Sequence, residues 1–173
     1  MIKDLFLKRR SYRKFSAEEI SENDVQFILR AALLSPSSRG RCTWHFVVVE
    51  DKLDLEKLAD AKSSGSGFLK NCRLAVVVCG DALENDCWLE DGAIAAYGML
   101  LQAEDLGLGA CWCQIHKRLL ADGTSSEDVV RGVLDIPENQ NVLCIVGIGH
   151  KETELAPQDE DTLKWENVHL NKW

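Results

Sequence analysis

One early stretch carries apolar residues at helical spacing, Val25, Ile28, Leu29 and Ala32. Ser21 stands ahead of it with Asp24 three residues on, a capping pair that opens a helix. Pro36 marks the end of that helix. Phe46 to Val49, Leu74 to Cys79 and Val142 to Ile148 are instead short, β-branched-rich apolar runs bounded by charge or turn residues, which predicts strands buried on both faces. Ala110 to Cys113 is a fourth candidate strand. From Trp88 to Glu104 the chain is apolar around nearly its whole circumference, through Ile94, Ala95, Ala96, Met99, Leu100 and Leu101. That predicts a central helix or a subunit interface, with Gly107 as its C-terminal cap. Ser125 with Asp128 opens a last short helix before Pro137.

Strands and helices are mixed along the chain, so the expected class is α+β, with helices packed on a central sheet. The chain has 173 residues, 46% of them hydrophobic, enough to build one domain across 1–173. No internal repeat divides it, and Ser63-Ser64-Gly65-Ser66-Gly67 reads as a flexible loop inside the domain. The tail, about 152–173, begins acidic and polar, then carries Trp165 and Trp173 among Leu163, Val168 and Leu170. Such aromatics call for a surface to bury against, the body of the same chain or, preferred of the two, a second copy.

A net charge of −8 and a pI near 5.0 argue against nucleic acid or an anionic membrane as partner, so any anion site must be local. Cys79, Cys111 and Cys144 sit inside apolar runs, and the total of seven cysteines is odd; both facts predict reduced core thiols rather than a disulfide framework. Cys111 and Cys113 are one residue apart with no C-x-x-C pair or histidine at ligand spacing, so no metal site is expected. No apolar run of about eighteen residues occurs, and Met1 to Leu5 mixes an acid with bases, from which a cytoplasmic location is expected.

Three segments carry candidate chemistry. Five of the seven residues from Lys8 to Lys14 are basic, around Arg9-Arg10-Ser11-Tyr12-Arg13. Guanidinium groups fork onto phosphate oxygens and a serine hydroxyl adds a donor, so a phosphomonoester fits; a solvated basic helix face or a nucleic-acid patch is the other reading. Ser35-Pro36-Ser37-Ser38-Arg39-Gly40 leaves a helix and turns towards Trp44-His45-Phe46. It is either a simple turn or a platform of small hydroxylated residues for the polar edge of a planar ligand. Leu106-Gly107-Leu108-Gly109 leads from a helix into a strand, the reverse of the order that dinucleotide pyrophosphate binding requires, and reads first as a helix stop. Glu90 and Asp91 are adjacent on the long helix and read as a polar interruption, and none of the four histidines, His116 and His169 included, stands in a triad context.

In this order, and with Phe68-Leu69-Lys70-Asn71 before the second strand, these segments resemble the nitroreductase family of FMN-dependent oxidoreductases over almost the whole chain. The resemblance implies a central mixed sheet flanked by helices in an intertwined homodimer, with two FMN molecules at the subunit interface. Arg9, Arg10, Ser11 and Arg13 would hold the phosphate, ribityl chain and pyrimidine edge. Pro36, Ser37, Ser38 and Arg39 would reach the flavin from the other subunit, Gly65 to Phe68 would border the ring, and backbone at Cys113 and Gln114 would face its N5 side. A C-terminal base would complete the phosphate site, with Lys164 and Lys172 as candidates. Gly40 stands where the family often has Asn, and Cys42-Thr43 where Gln-Pro is common, so contacts there are lost or changed. The implied activity is hydride transfer from NAD(P)H through flavin to a small planar acceptor such as a nitroaromatic or quinone, with no catalytic side chain. The alternatives are another FMN reaction on the same fold (dehalogenation, dehydrogenation or flavin fragmentation) or a non-catalytic module for phosphate ligands.

Overall fold

The computed structural model describes residues 1–173. Its elements are α1 (Ile2–Lys8), α2 (Glu22–Leu33), β1 (Trp44–Val49), α3 (Lys52–Ala59), β2 (Leu74–Gly80), α4 (Trp88–Asp105), β3 (Leu108–Gln114), α5 (Ser126–Leu134) and β4 (Asn141–His150), with four short 3-10 turns between or after them. The strands lie in the order β1-β2-β4-β3, each pair antiparallel. The one parallel pairing is a bridge between Ser11 and Ala110, so the expected mixed sheet is mixed only there.

Period-two alternation divides the central strands between two layers. Leu74, Val76 and Val78 of β2 meet Ile28 and Ala32 of α2 and Ala95, Ala96 and Met99 of α4. Ala75, Val77 and Cys79 face the opposite layer, with Leu55 and Leu58 of α3, Phe68, Leu69 and Val130 of α5. Every residue of β2 is buried, as its uninterrupted apolar run requires.

Helix starts follow their caps. The Ser21 hydroxyl accepts from Asp24 N at 3.1 Å and the Ser125 hydroxyl from Asp128 N at 3.4 Å. Gly107, with φ of +77°, turns the chain out of α4 into β3. The sequence pattern did not predict α1 or α3. α1 buries no residue, and α3 has eight residues whose apolar positions alternate with charge, its start fixed by Asp51 accepting from Leu53 N at 2.9 Å.

The N-terminal segment lies on the outer side of β3. Tyr12 N donates to the Ala110 carbonyl at 3.0 Å, and a β-carbon at Gly109 would sit 2.8 Å from Tyr12 Cβ, so only glycine admits this approach. The start of the tail is tied to the same segment. Tyr12 OH donates to Glu154 at 3.1 Å, Arg10 donates to the Ala156 carbonyl, and Gln158 donates to the Phe6 carbonyl at 2.9 Å. Beneath, Lys151 pairs with Glu104 at 3.0 Å, both side chains 7% exposed; burial disfavours the ammonium, but the hydrogen bond and charge of Glu104 outweigh it and hold the lysine pKa above its usual range. From residue 159 onward every hydrogen bond is local to the tail, and Trp165 and Trp173 are 71% and 100% exposed.

Candidate active site

The basic run does not sit on a helix. α1 stops at Lys8, and Arg9 takes an extended conformation as its C-cap, so the residues that follow run along the edge of the sheet. Arg9 Nε is buried with no hydrogen-bond partner. Arg13 makes a single side-chain hydrogen bond, a donation to the Ser11 carbonyl at 3.5 Å. Burial raises the pKa of Cys111 on β3, and the charges of Arg13, Arg9 and Lys62 together with a Ser11 hydrogen bond oppose that rise, so these groups converge on one patch. None of the three cations enters an ion pair. A buried guanidinium nitrogen without a partner amid unspent positive charge suits a phosphate, which offers several anionic acceptors at once. Arg10 donates through Nη1 to the Ala156 carbonyl of the tail.

The end of β3 forms the next wall. Lys62 Nζ donates to the Gln114 carbonyl at 3.2 Å, and Cys113 Sγ lies 3.9 Å from the Gly65 carbonyl, so the serine-glycine loop is held against the strand. Burial pushes the Cys113 thiol up to about 11, making it a neutral, small lining group rather than a nucleophile. The Gln114 side chain is fixed at both ends, accepting from Trp112 Nε1 at 2.9 Å and donating to the His116 carbonyl at 3.2 Å. Phe68, placed at the ring border by the resemblance, is only 8% exposed, and its ring packs over Gly147 in the core.

Pro36, Ser37, Ser38 and Arg39 stand before β1, the far edge strand. With two strands between β1 and β3, the strands these segments adjoin are about 14 Å apart. Within one chain the serine loop and the arginine cluster therefore do not meet. The loop is built with care nonetheless. Ser38 N donates to both oxygens of Asp91 at 2.8 and 3.0 Å, Asn85 Nδ2 donates to Asp91 at 2.8 Å and to Thr43 at 2.9 Å, and Cys42 N donates to the Ser37 hydroxyl at 2.9 Å. Arg39 and Cys42 have φ of 55° and 52°, left-handed values that this network holds in place. Lys164 lies in the exposed tail, paired with Glu166 at 3.5 Å.

Three contributors escaped the sequence reading. Asp91 anchors the serine loop rather than merely interrupting α4, and Lys62, next to an unremarkable serine run, joins the cation cluster. His116 and Glu127 form a half-buried pair at 2.8 Å, with Trp88 edge-on to the imidazole; eleven residues separate them, and no motif signals the pairing. No group of three or more His, Cys, Asp or Glu side chains is placed to hold a metal ion. No helix is long and apolar enough to cross a membrane.

Fold and site together define an α+β protein with a patch of unpaired cations along one edge of its sheet. Residues 6–70 and 67–150 match the model of the Nitroreductase family, and the chain belongs to that family. A protein of Archaeoglobus fulgidus provisionally named NADH dehydrogenase/NAD(P)H nitroreductase is 34% identical over 170 residues, covering 95% of this chain and 94% of its own. Among solved structures, an FMN-dependent nitroreductase from Clostridium difficile R20291 superposes with a TM-score of 0.95 at 40% identity, covering 98% of each chain. One from Bacteroides thetaiotaomicron, provisionally named NADH dehydrogenase/NAD(P)H nitroreductase, gives 0.90 at 30% identity, covering 99% of this chain and 98% of its own.

Proposed function

We propose that the protein is a cytoplasmic, homodimeric flavin oxidoreductase that uses FMN to pass hydride from NAD(P)H to a small planar acceptor such as a nitroaromatic or quinone. The observation that carries the reading is the partnerless buried Nε of Arg9 within a cluster of unpaired cations. The 40% identity to an FMN-dependent nitroreductase supports it. Bound there, FMN supplies the redox chemistry and the protein supplies binding, orientation and field.

In this reading Arg9 and Ser11 hold the phosphate end, and Arg13 sets positive charge beside the polar edge of the ring. Gly65, Cys113 and Gln114 form the wall beside the reacting edge. The serine loop of a second copy, Pro36 to Arg39, closes the cleft, which answers its separation from the arginine cluster within one chain. Residues 1–173 act as one domain, and tail residues 152–173 bury their tryptophans on that second copy, where Lys164 can approach the phosphate. No side-chain nucleophile takes part; the cleft holds donor and then acceptor against the same face.

The test is Arg9→Ala combined with Arg13→Ala. Each lost charge-assisted contact costs about 1.5–3 kcal/mol, so FMN affinity should fall by at least about a hundredfold. The purified variant should be colourless, and full flavin occupancy would refute the assignment.

A further inference from the structure

A cationic cavity adjoins the arginine cluster through Lys62 and has no occupant in this reading. It has a volume of about 630 Å³ and is lined by Lys62, Ser63, Ser64, Gln114 and residues 117–121, with neither Arg9 nor Arg13 in its wall. Three of its side chains, Lys62, Lys117 and Arg118, are cations outside any ion pair, and no carboxylate lines it, in a protein of net charge −8. The site is braced from several sides. Ser63 N donates to the Leu119 carbonyl at 3.3 Å, Arg118 N to the Ile115 carbonyl at 2.9 Å, and Ser126 N to the Arg118 carbonyl at 3.0 Å. Lys117, at a left-handed φ of 57°, donates its N–H to the buried Glu127 at 3.4 Å.

We propose that this cavity, walled by Lys62, Lys117 and Arg118, grips the phosphate-bearing arm of the reduced nicotinamide dinucleotide while the nicotinamide reaches the Gln114 end of β3. The inference rests on the flavin oxidoreductase reading for the identity of the donor. A dinucleotide carries at least two phosphates remote from its reacting ring, and contacts to them help position that ring. Three cations with two serine hydroxyls match such an anion, and Gln114, common to this cavity and to the wall of the flavin cleft, ties the two together.

The experiment uses the full-length protein and a double variant, Lys117→Ala with Arg118→Ala. Calorimetric titration with 2′-phospho-ADP-ribose, the donor without its nicotinamide, reads the cavity independently of redox chemistry. The wild type should bind it with an affinity that falls with salt, the double variant at least about tenfold more weakly, and Arg118→Lys should retain part of the binding. KM for NADPH should rise in parallel, while flavin reduction by 1-benzyl-1,4-dihydronicotinamide, which has no phosphate, should be much less affected. Equal fragment binding by wild type and double variant, or no binding by the wild type, would overturn the proposal. So would an equal loss with the phosphate-free donor, or loss of flavin from the double variant with fragment binding intact. A wild type that binds the fragment through these cations yet holds no flavin would instead sink the cofactor reading and leave the anion site standing.

Discussion

At the scale of single residues, the site depends on groups that face each other across the fold rather than along the chain. Asp91 is 4% exposed, and its two oxygens take the Ser38 N–H and an Asn85 N–H. Removing the carboxylate strands both donors. Asp91→Ala should therefore lose about 2–4 kcal/mol of stability in urea unfolding, with the Ser37–Arg39 turn released. Asp91→Asn, which keeps one acceptor oxygen, should lose less; wild-type stability in the alanine variant would show that the network carries no weight. Arg9, Arg10 and Arg13 around Ser11 stand out in the sequence because three bases beside a hydroxyl suit an anion. Asp91 does not, since only folding sets it beside Ser38, fifty-three residues away.

At the scale of elements, the apolar pattern located α2, α4, α5 and all four strands to within a few residues, although β1, expected to be buried on both faces, is an edge strand with His45 and Val48 exposed. α1 and α3 lacked that signature for a physical reason: α1 buries nothing, and α3 is too short to show two full repeats. The glycine before β3 was legible as a helix stop, but its neighbour Gly109 has a different task. A β-carbon at Gly109 would stand 2.8 Å from Tyr12 Cβ, 2.9 Å from Tyr12 Cγ and 3.1 Å from Lys151 Cγ. Gly109→Ala should push the arginine segment off β3, costing about 1–3 kcal/mol in urea unfolding and releasing FMN on dialysis. Gly132→Ala in α5, where nothing lies within 4 Å of the added carbon, is the control and should be tolerated. If both variants kept FMN and stability alike, the close approach would not be what positions the cluster.

At the scale of the whole molecule, two features stand out. Burial raises the thiol pKa of Cys79 to about 12 and of Cys113 to about 11, and raises those of Cys72, Cys111 and Cys144 as well. The folded protein thus keeps thiol protons that the unfolded chain releases near 9.0. The stability this confers is complete below that pH and is lost as pH rises through the folded values, by about 1.4 kcal/mol per pH unit for each thiol ionised only on unfolding. Urea midpoints should fall steeply from about pH 9 upward; a flat profile there would contradict the burial of these cysteines. The second feature is a pair of unpartnered elements, the exposed tryptophans of the tail and, at the far edge of the sheet, the serine loop that one chain keeps from the arginine cluster. In the proposed dimer each cleft draws on both copies, so the sequence alone could name the segments but not show them meeting.

The central claim is that this cleft holds FMN and accepts hydride from a nicotinamide donor. The visible absorption spectrum of the freshly purified protein, recorded before and after anaerobic addition of NADPH or NADH, tests both halves together. A bound-flavin spectrum that bleaches with the donor and returns when a quinone is added is the expected result. A colourless protein that gains no flavin band on incubation with FMN would contradict it.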